Sequence, residues 1–161
     1  MTKAKKEPYE VGQLTQEGIF IARLKDKDGV EKNWFADVTD AQDSKGKRLG
    51  LTFNEAAKFA TNSNSLGHHD WIVPPGLRDP HGRPDVLNAL FNSKSKGAFK
   101  GTFDETGSWQ TGSLFSGWYR SSSLYWNQDS YAQVQRFIDG NQDDDYKRLP
   151  LAVRAVRSVA V

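Results

Sequence analysis

The last third of the chain concentrates side chains that are suited to binding. Residues 116–146 contain four of the five tyrosines and two of the five tryptophans, together with many Ser, Asn and Asp residues. Tyr and Trp provide large, stiff contact areas at low entropic cost, and Ser, Asn and Asp adapt their hydrogen bonds to a docked surface. We therefore predict a ligand-binding surface in this segment. Its expected members are Tyr119, Tyr125, Trp126, Asn127, Asp129, Tyr131, Asn141 and Tyr146.

The segment His68-His69-Asp70 consists of residues that can ligate a metal ion. Adjacent residues of an extended segment point to opposite sides, so these three side chains do not converge, and a further ligand such as His81 would be needed. We favour a loop that leads into a buried Trp71 over a metal site at this position.

The acidic run over residues 139–145 begins like a calcium-binding loop. It departs from the EF-hand pattern because Asp144 stands where that loop needs Gly, and Pro150 stands where it needs a bidentate Glu. A solvated acidic loop is the favoured interpretation. We predict neither a metal ion nor a cofactor for this chain.

Nucleophilic catalysis has little support in the sequence. The serines at 121–123 lack a Gly-x-Ser-x-Gly elbow, and no pattern ties any of the three histidines to them. The absence of cysteine excludes thiolate nucleophiles and cysteine zinc sites. Acidic residues are numerous, so a close carboxylate pair is expected by chance. The sequence thus favours binding without catalysis.

Length and charge set the remaining limits. The 161 residues show no break in composition, which predicts one domain over residues 11–161 after a flexible basic arm over residues 1–10. Charges of both signs are interspersed and the net charge is +2, which argues against nucleic acid as a partner. With no run of about 18 apolar residues, we expect neither a signal peptide nor a membrane partner.

Several elements must position these residues. Aromatic and β-branched residues at 19–22 and 34–38, joined through Lys27-Asp28-Gly29, predict a β-hairpin. Thr52 and Glu55 match a capping box, and the apolar spacing behind them predicts a helix over about 52–61.

The second half is predicted to alternate extended and loop segments. Residues 70–75 form an extended segment that ends in two prolines, and Asp85 caps a second short helix. Residues 93–113 are a glycine-spaced loop region. Three strands are expected at about 117–122, 131–138 and 151–157, with a bulge near Arg136. The expected aromatic core residues are Trp71, Trp118 and Phe137.

Three segments carry a family resemblance when taken in this order: Asp70-Trp71-Ile72-Val73-Pro74, Trp118-Tyr119-Arg120-Ser121-Ser122-Ser123 and Val153-Arg154-Ala155-Val156-Arg157. Residues 11–158 resemble the C-type-lectin-like domain family found at the C terminus of bacterial collagen-like adhesins and in phage and prophage proteins. Two positions depart from the family pattern. Arg120 stands where the family commonly has Trp, and Asp85 stands where it often has Glu.

The resemblance implies an α+β, C-type-lectin-like fold with small antiparallel sheets, two flanking helices and long loops. It further implies that the terminal strands, at about 18–24 and 151–157, pair with each other. Members of the family bind glycans or proteins and are mostly not enzymes. The same fold carries the variable proteins of diversity-generating retroelements, whose variable positions favour Tyr, Asn, Ser and Asp. A lectin-type calcium site at Asn127 and Asp129 is a lesser alternative.

The function expected from these observations is non-enzymatic binding of a protein partner, including proteins of a host, by a phage- or prophage-encoded chain. A carbohydrate-binding adhesin or receptor-binding module is the alternative, and an enzyme of unknown class is the third. The resemblance together with the absence of a signal peptide favours a cytoplasmic or virion-associated location.

Overall fold

Two antiparallel sheets and two short α-helices make up the computed structural model, which describes residues 9–109, 116–125 and 128–161. At Tyr125, Gln128 and Asp129 it describes the backbone alone. Short 3₁₀ turns lie at Ser65–Gly67 and Gly97–Phe99. In chain order the elements are β1 (Leu14–Thr15), β2 (Gly18–Lys25), β3 (Glu31–Ala36), α1 (Phe53–Asn62), α2 (Val86–Asn92), β4 (Trp118–Tyr125), β5 (Gln128–Arg136), β6 (Gln142–Tyr146) and β7 (Val156–Ala160).

The first sheet has the strand order β1-β2-β3-β7. Its β2–β3 hairpin confirms the sequence prediction, and the turn is held by Asp26, whose carboxylate accepts hydrogen bonds from the amides of Asp28 at 2.9 Å and Val30 at 3.0 Å. Gly29 has a φ of +82°, a left-handed conformation that glycine adopts at little cost. The turn therefore forms where the Lys27-Asp28-Gly29 signal indicated.

The expected direct pairing of residues 18–24 with residues 151–157 is wrong. Strand β3 lies between β2 and β7, although all three strands belong to one sheet. The closing strand also begins later than expected, at Val156. Residues 151–155 make backbone bonds to several different segments, including Leu51 and Ala41, rather than to one neighbouring strand. This buried stretch consequently ties the two sheets together.

The second sheet has the order β4-β5-β6. The bulge lies in β4 and not near Arg136, because Arg120 pairs with Val134 and Leu124 pairs with Ala132, so the spacing differs between the two strands. Strand β5 ends at Arg136, and this end explains the change of apolar parity that the sequence suggested was a bulge. Phe137 lies in the following turn and is fully buried.

Strand β6 forms where a solvated acidic loop was expected. Acidic residues are poor strand formers, so local propensity argued against a strand here. Pairing with β5 overrides this preference, and the carboxylates of Asp143 and Asp145 each accept a hydrogen bond at 2.8 Å from the next backbone amide. Charged residues are also typical of an edge strand, because they discourage pairing with a further chain.

Both helices confirm the sequence predictions. The Thr52 hydroxyl and the Glu55 carboxylate form the reciprocal capping box of α1, whose Ala56 and Ala60 are buried. The Asp85 carboxylate accepts a hydrogen bond from the Asn88 amide at 3.1 Å and caps α2. Helix α2 buries its apolar face in the main core.

The aromatic core agrees with the sequence at Trp71 and Phe137, which are 2% and 0% exposed. Trp118 is only half-buried, and the guanidinium of Arg136 lies 6.0 Å from its ring centroid. Residues 1–8 of the predicted arm lie outside the described residues. The ring centroid of Tyr9 lies 5.2 Å from those of both Phe20 and Phe35, so the last part of the arm packs on the first sheet. In the described parts of the chain, no helix is long and apolar enough to cross a membrane.

Candidate functional site

One face of strands β5 and β6 presents a row of aromatic, amide and carboxylate side chains. Directly opposed residues of antiparallel strands project from the same side of the sheet, so the strand register defines this row. We call it the paired-strand face. It consists of the opposed pairs Tyr131 and Tyr146, Gln133 and Asp144, and Gln135 and Gln142.

The aromatic end of the paired-strand face is partly open to solvent. The rings of Tyr131 and Tyr146 stack with centroids 4.6 Å apart and planes tilted by 38°. Tyr146 is 39% exposed, and the guanidinium of Arg148 lies over its ring at 4.6 Å. A hydrogen bond with the Tyr146 side chain raises the pKa of Tyr131 above its usual value of 10.0.

The middle of the face borders a cleft of about 200 Å³ between the sheet and residues 76–79. One Nη atom of Arg78 lies 3.3 and 3.4 Å from the two carboxylate oxygens of Asp144. Gln133 is only 3% exposed, yet its Oε1 has no hydrogen-bond partner among the described residues. The cleft is lined by Leu77, Arg78, Gln133, Gln142, Asp143 and Asp144.

The serines of β4 hold residues 74–76 against the sheet. The Ser122 amide donates to the Pro74 carbonyl at 2.9 Å, and the Gly76 amide donates to the Ser123 hydroxyl at 2.8 Å. Gly76 is needed because a Cβ at this position would come within 2.3 Å of Gln133 Oε1. These bonds explain the serine run as a structural anchor for one wall of the cleft.

Asp79 fixes the turn that follows this wall. Its buried carboxylate accepts hydrogen bonds from the backbone amide and the guanidinium of Arg83, both at 3.0 Å. Burial alone would raise the pKa of Asp79, but the bonds from Arg83 outweigh it and hold the pKa below its usual value of 3.8. Arg78, just before this turn, has a φ of +59°, a strained conformation for a residue other than glycine.

The far end of the face closes against α2. The side-chain amide of Gln135 donates to Asn88 Oδ1 at 2.9 Å and to the Gly140 carbonyl at 3.1 Å. The side-chain amide of Gln142 donates to the Asp85 carboxylate at 3.2 Å. Burial raises the pKa of Asp85. The accessible part of the paired-strand face is therefore its tyrosine end and the adjoining cleft.

The structure brings some of the predicted site residues together. Tyr131 and Tyr146 stack on the face, while Asn141 is exposed in the turn before β6, where its amide is bonded to Asp139 at 3.0 Å. Four predicted residues are not placed as side chains: Trp126 and Asn127 lie outside the described residues, and Tyr125 and Asp129 are described by their backbone alone.

The prediction that Tyr119 belongs to the exposed binding surface is wrong, because Tyr119 is 0% exposed. Its ring packs against Phe137 with centroids 4.2 Å apart. Its hydroxyl donates to the Asp40 carboxylate at 2.5 Å and accepts from the Asp104 amide at 2.8 Å. Tyr119 thus anchors the core rather than contributing to a binding surface, and local sequence contains no sign of a partner as distant as Asp40.

The Asp40 carboxylate, which accepts the hydrogen bond from Tyr119, belongs to a buried ion pair. Arg154 donates to Asp40 at 2.9 Å, and both side chains are almost completely buried. Burial raises the pKa of Asp40 despite Arg154, and burial together with the Asp40 charge raises the pKa of Tyr119 well above its usual value. Neither described cavity is lined by these groups, so their perturbed titration reflects packing.

Gln133, Asp144 and the wall at residues 76–79 were not among the site residues predicted from the sequence. The alternation Tyr131-x-Gln133-x-Gln135 is a signal that could have revealed the first of these, because polar residues at every second position form one face of a strand. The wall could not be found in this way, since residues 76–79 are far from the strands in sequence.

The histidine segment is engaged in structural contacts. His68 bonds through Nε2 to the Gln16 carbonyl at 2.8 Å, and Asp70 accepts a hydrogen bond from Arg157 at 2.7 Å. That bond to Arg157 lowers the pKa of Asp70. Throughout the described ranges, no group of three or more His, Asp and Glu side chains is arranged to hold a metal ion.

A second cavity, of about 210 Å³, lies on the first sheet. Trp34, Leu24 and Ile72 contribute its apolar lining. Two of its charged residues are engaged elsewhere, Asp70 with Arg157 and Arg83 with Asp79. It is a weaker candidate than the cleft, which adjoins the stacked tyrosines of the paired-strand face.

No protein-family model matches this sequence, and no curated protein matches it.

Proposed function

We propose that this chain is a non-enzymatic ligand-binding protein that binds a protein partner through the tyrosine end of the paired-strand face. The observation that carries the proposal is the stacked pair of Tyr131 and Tyr146 beside a polar cleft, with Tyr146 39% exposed. Aromatic anchors bordered by polar groups are typical of binding hot spots.

The state of the titratable groups favours binding over catalysis. The strongly perturbed pKa values belong to buried groups such as Asp40 and Tyr119, which are bonded to each other away from the cleft. At the cleft, the half-buried Asp144 is paired with Arg78. A general acid or base needs both a tuned pKa and access to a substrate.

We further propose a C-type-lectin-like fold and a phage or prophage origin for the chain. The α+β arrangement of two helices and two antiparallel sheets is consistent with that fold. The resemblance of the segments around Trp71, Tyr119 and Arg154 supports the family, and through the family the origin. A host protein is then the kind of partner that such a binder would meet.

A glycan is the second candidate ligand, because an exposed tyrosine beside amide and carboxylate groups can stack on a sugar and bind its hydroxyls. The position of Arg148 argues against it. The guanidinium lies 4.6 Å over the Tyr146 ring, so a sugar that stacked on that side would have to displace it. Arginine paired with tyrosine is itself favoured in protein interfaces.

The proposal is tested by capture of partners with immobilised protein, followed by quantitative mass spectrometry. Tyr146→Ala should reduce the captured partner at least tenfold, since truncating an aromatic hot spot typically costs about 2 kcal/mol or more. The matched control is Leu14→Ala, which removes another large exposed apolar side chain, 58% exposed, from β1. This control should capture the partner as well as the unmodified chain does.

The same three proteins should be applied to a glycan array. A glycan that binds the unmodified chain but not Tyr146→Ala would show that the ligand of this face is a carbohydrate and not a protein. Capture that is equal for the unmodified chain and Tyr146→Ala would contradict the proposed role of this face.

A further inference from the structure

We propose that the cavity on the first sheet is a second binding site, which takes a free amino acid with an apolar side chain. The cavity has a volume of about 210 Å³ and is separate from the paired-strand face, which lies on the other sheet. An apolar cavity of about 150 Å³ already admits benzene, so this cavity has room for the side chain of phenylalanine or leucine. The site is independent of the protein partner proposed above.

Three neighbouring strands form the floor of the cavity. The register opposes Leu24 to Lys32 and Trp34 to Ser158, so these four side chains project from one face of the first sheet. Ile72 adds to the apolar lining. Small-molecule sites combine such a lining with a few polar groups that fix the orientation of the ligand. The polar groups of this cavity therefore determine which ligand it takes.

The indole N–H of Trp34 is an unused donor of the cavity. Trp34 is 3% exposed, and no described group accepts a hydrogen bond from its Nε1. This atom keeps accessible surface, in contrast to the fully enclosed side-chain atoms that lack a partner. Because the rest of the ring packs in the main core, that surface belongs to the cavity that Trp34 lines. A buried indole N–H generally has a partner, so the cavity calls for an acceptor at this point.

Two further donors lie beside this N–H group. Ser158 is directly opposite Trp34, and Lys32 lies two residues before Trp34 on the same face of β3. Neither the Ser158 hydroxyl nor the Lys32 ammonium makes a hydrogen bond or an ion pair with a described group. Three donors, one of them positively charged, suit a carboxylate, which accepts several hydrogen bonds at once.

A carboxylate of the protein lies at the end of the cavity near the hairpin turn. Both hydrogen bonds from the turn amides to Asp26 reach its Oδ1. Its Oδ2 accepts from no described group and keeps accessible surface. A carboxylate oxygen in this state suits an ammonium group, because charge-assisted hydrogen bonds are the stronger ones.

The balance of charge selects a ligand with both signs. Arg83 and Asp70, the other charged residues of the lining, are already engaged in ion pairs. Lys32 and Asp26 remain, and they form no ion pair with each other. An anion alone would be repelled by Asp26, and a cation alone would be repelled by Lys32. An apolar amino acid carries both charges together with a side chain for the apolar lining.

The test is an NMR titration of the full chain with L-phenylalanine and L-leucine that follows the indole N–H signal of Trp34. We expect a saturable shift with both. Phenylpropionate lacks the ammonium group and phenethylamine lacks the carboxylate, so each should bind at least threefold more weakly than L-phenylalanine. N-acetyl-phenylalanine amide lacks both charges, as a residue within a peptide does, and should not bind.

Three results of this titration would overturn the proposal. The first is the absence of a saturable shift with both amino acids. The second is equal or tighter binding of phenylpropionate or phenethylamine, which would show that the site does not read both charges. The third is equal binding of N-acetyl-phenylalanine amide, which would assign the cavity to a side chain of a peptide.

Variants of the two charged residues locate the ligand. Lys32→Gln and Asp26→Asn should each weaken the binding of L-phenylalanine about threefold, and Asn keeps the Oδ1 atom that holds the turn. Asp26→Asn should at the same time strengthen the binding of phenylpropionate, because it removes a repulsive charge. The matched controls are Lys25→Gln and Asp28→Asn, which change exposed residues of the same hairpin outside the cavity and should bind normally. Normal binding by both Lys32→Gln and Asp26→Asn, or an equal loss in the controls, would contradict the site.

Discussion

The two sheets of the protein use their polar residues in opposite ways. On the first sheet, Arg157 of β7 binds the carboxylates of Asp70 at 2.7 Å and Glu17 at 2.6 Å. On the second sheet, Asp144 meets a guanidinium only at 3.3 Å, and a buried oxygen of Gln133 has no partner among the described residues. Closely bonded charged groups hold the fold together, whereas a loosely paired carboxylate such as that of Asp144 remains available to a ligand.

The aromatic residues divide in the same way. Phe20 and Phe35 of the first sheet pack with centroids 5.6 Å apart and are 6% and 0% exposed. Tyr131 and Tyr146 of the second sheet pack more closely, at 4.6 Å, yet Tyr146 remains 39% exposed. The first arrangement stabilises a core, and the second offers a stiff aromatic surface at an edge of the sheet.

The largest expected effect is the loss of stability when Trp71, a buried core residue, is replaced. Trp71 is 2% exposed, and its indole donates to the Ser65 carbonyl at 3.0 Å. Trp71→Ala should lower the free energy of unfolding by about 3–5 kcal/mol, as measured by urea titration. An unfolding midpoint equal to that of the unmodified chain would show that Trp71 is not part of the core.

A smaller effect is expected when one hydroxyl is removed from the core. Tyr119→Phe leaves the Asp40 carboxylate and the Asp104 amide without their shared partner. The free energy of unfolding should fall by about 1–3 kcal/mol, the cost of leaving buried polar groups unpaired. Tyr131→Phe is the matched change on the paired-strand face and should alter stability by less than about 0.5 kcal/mol. Equal losses of stability in the two variants would show that the hydroxyls of Tyr119 and Tyr131 do not differ in their contribution to the fold.

The change in the free energy of unfolding at acidic pH provides the next test. The bonds from Arg83 hold the pKa of Asp79 below 3.8, so its ionised form contributes stability above that pH and loses it as the pH falls through the folded-state pKa. Asp79→Asn should therefore be less stable than the unmodified chain at neutral pH, and the gap should narrow as the pH falls below 3.8. Chemical unfolding at a series of pH values measures the gap. A gap that is constant with pH would show that the charge of Asp79 contributes nothing.

Local structure was predictable from the sequence, and long-range structure was not. The Thr52 and Glu55 capping box and the Asp85 cap depend on bonds three residues apart, so neighbouring residues determine them. The position of β3 between β2 and β7 and the burial of Tyr119 depend on partners that are distant in the chain. Sequence periodicity contains no information about which distant strand becomes the neighbour.

The candidate site followed the same rule. Its tyrosines were found because their residue types are characteristic of interfaces. The cleft was not found, because the wall at residues 76–79 reaches Asp144 through Arg78, a contact between residues 66 positions apart. Strand β6 was missed because pairing with β5 outweighs the poor strand propensity of its acidic residues.

The most direct test compares how strongly one captured partner binds two variants, each changed at one tyrosine of the second sheet. The affinity of the captured partner should be measured by calorimetry for the unmodified chain, Tyr146→Ala and Tyr119→Phe, at a temperature where all three are folded. We predict at least a tenfold weaker affinity for Tyr146→Ala with near-normal stability, and an unchanged affinity for the less stable Tyr119→Phe. Normal affinity in Tyr146→Ala, or a loss confined to Tyr119→Phe, would contradict the assignment of binding to the paired-strand face.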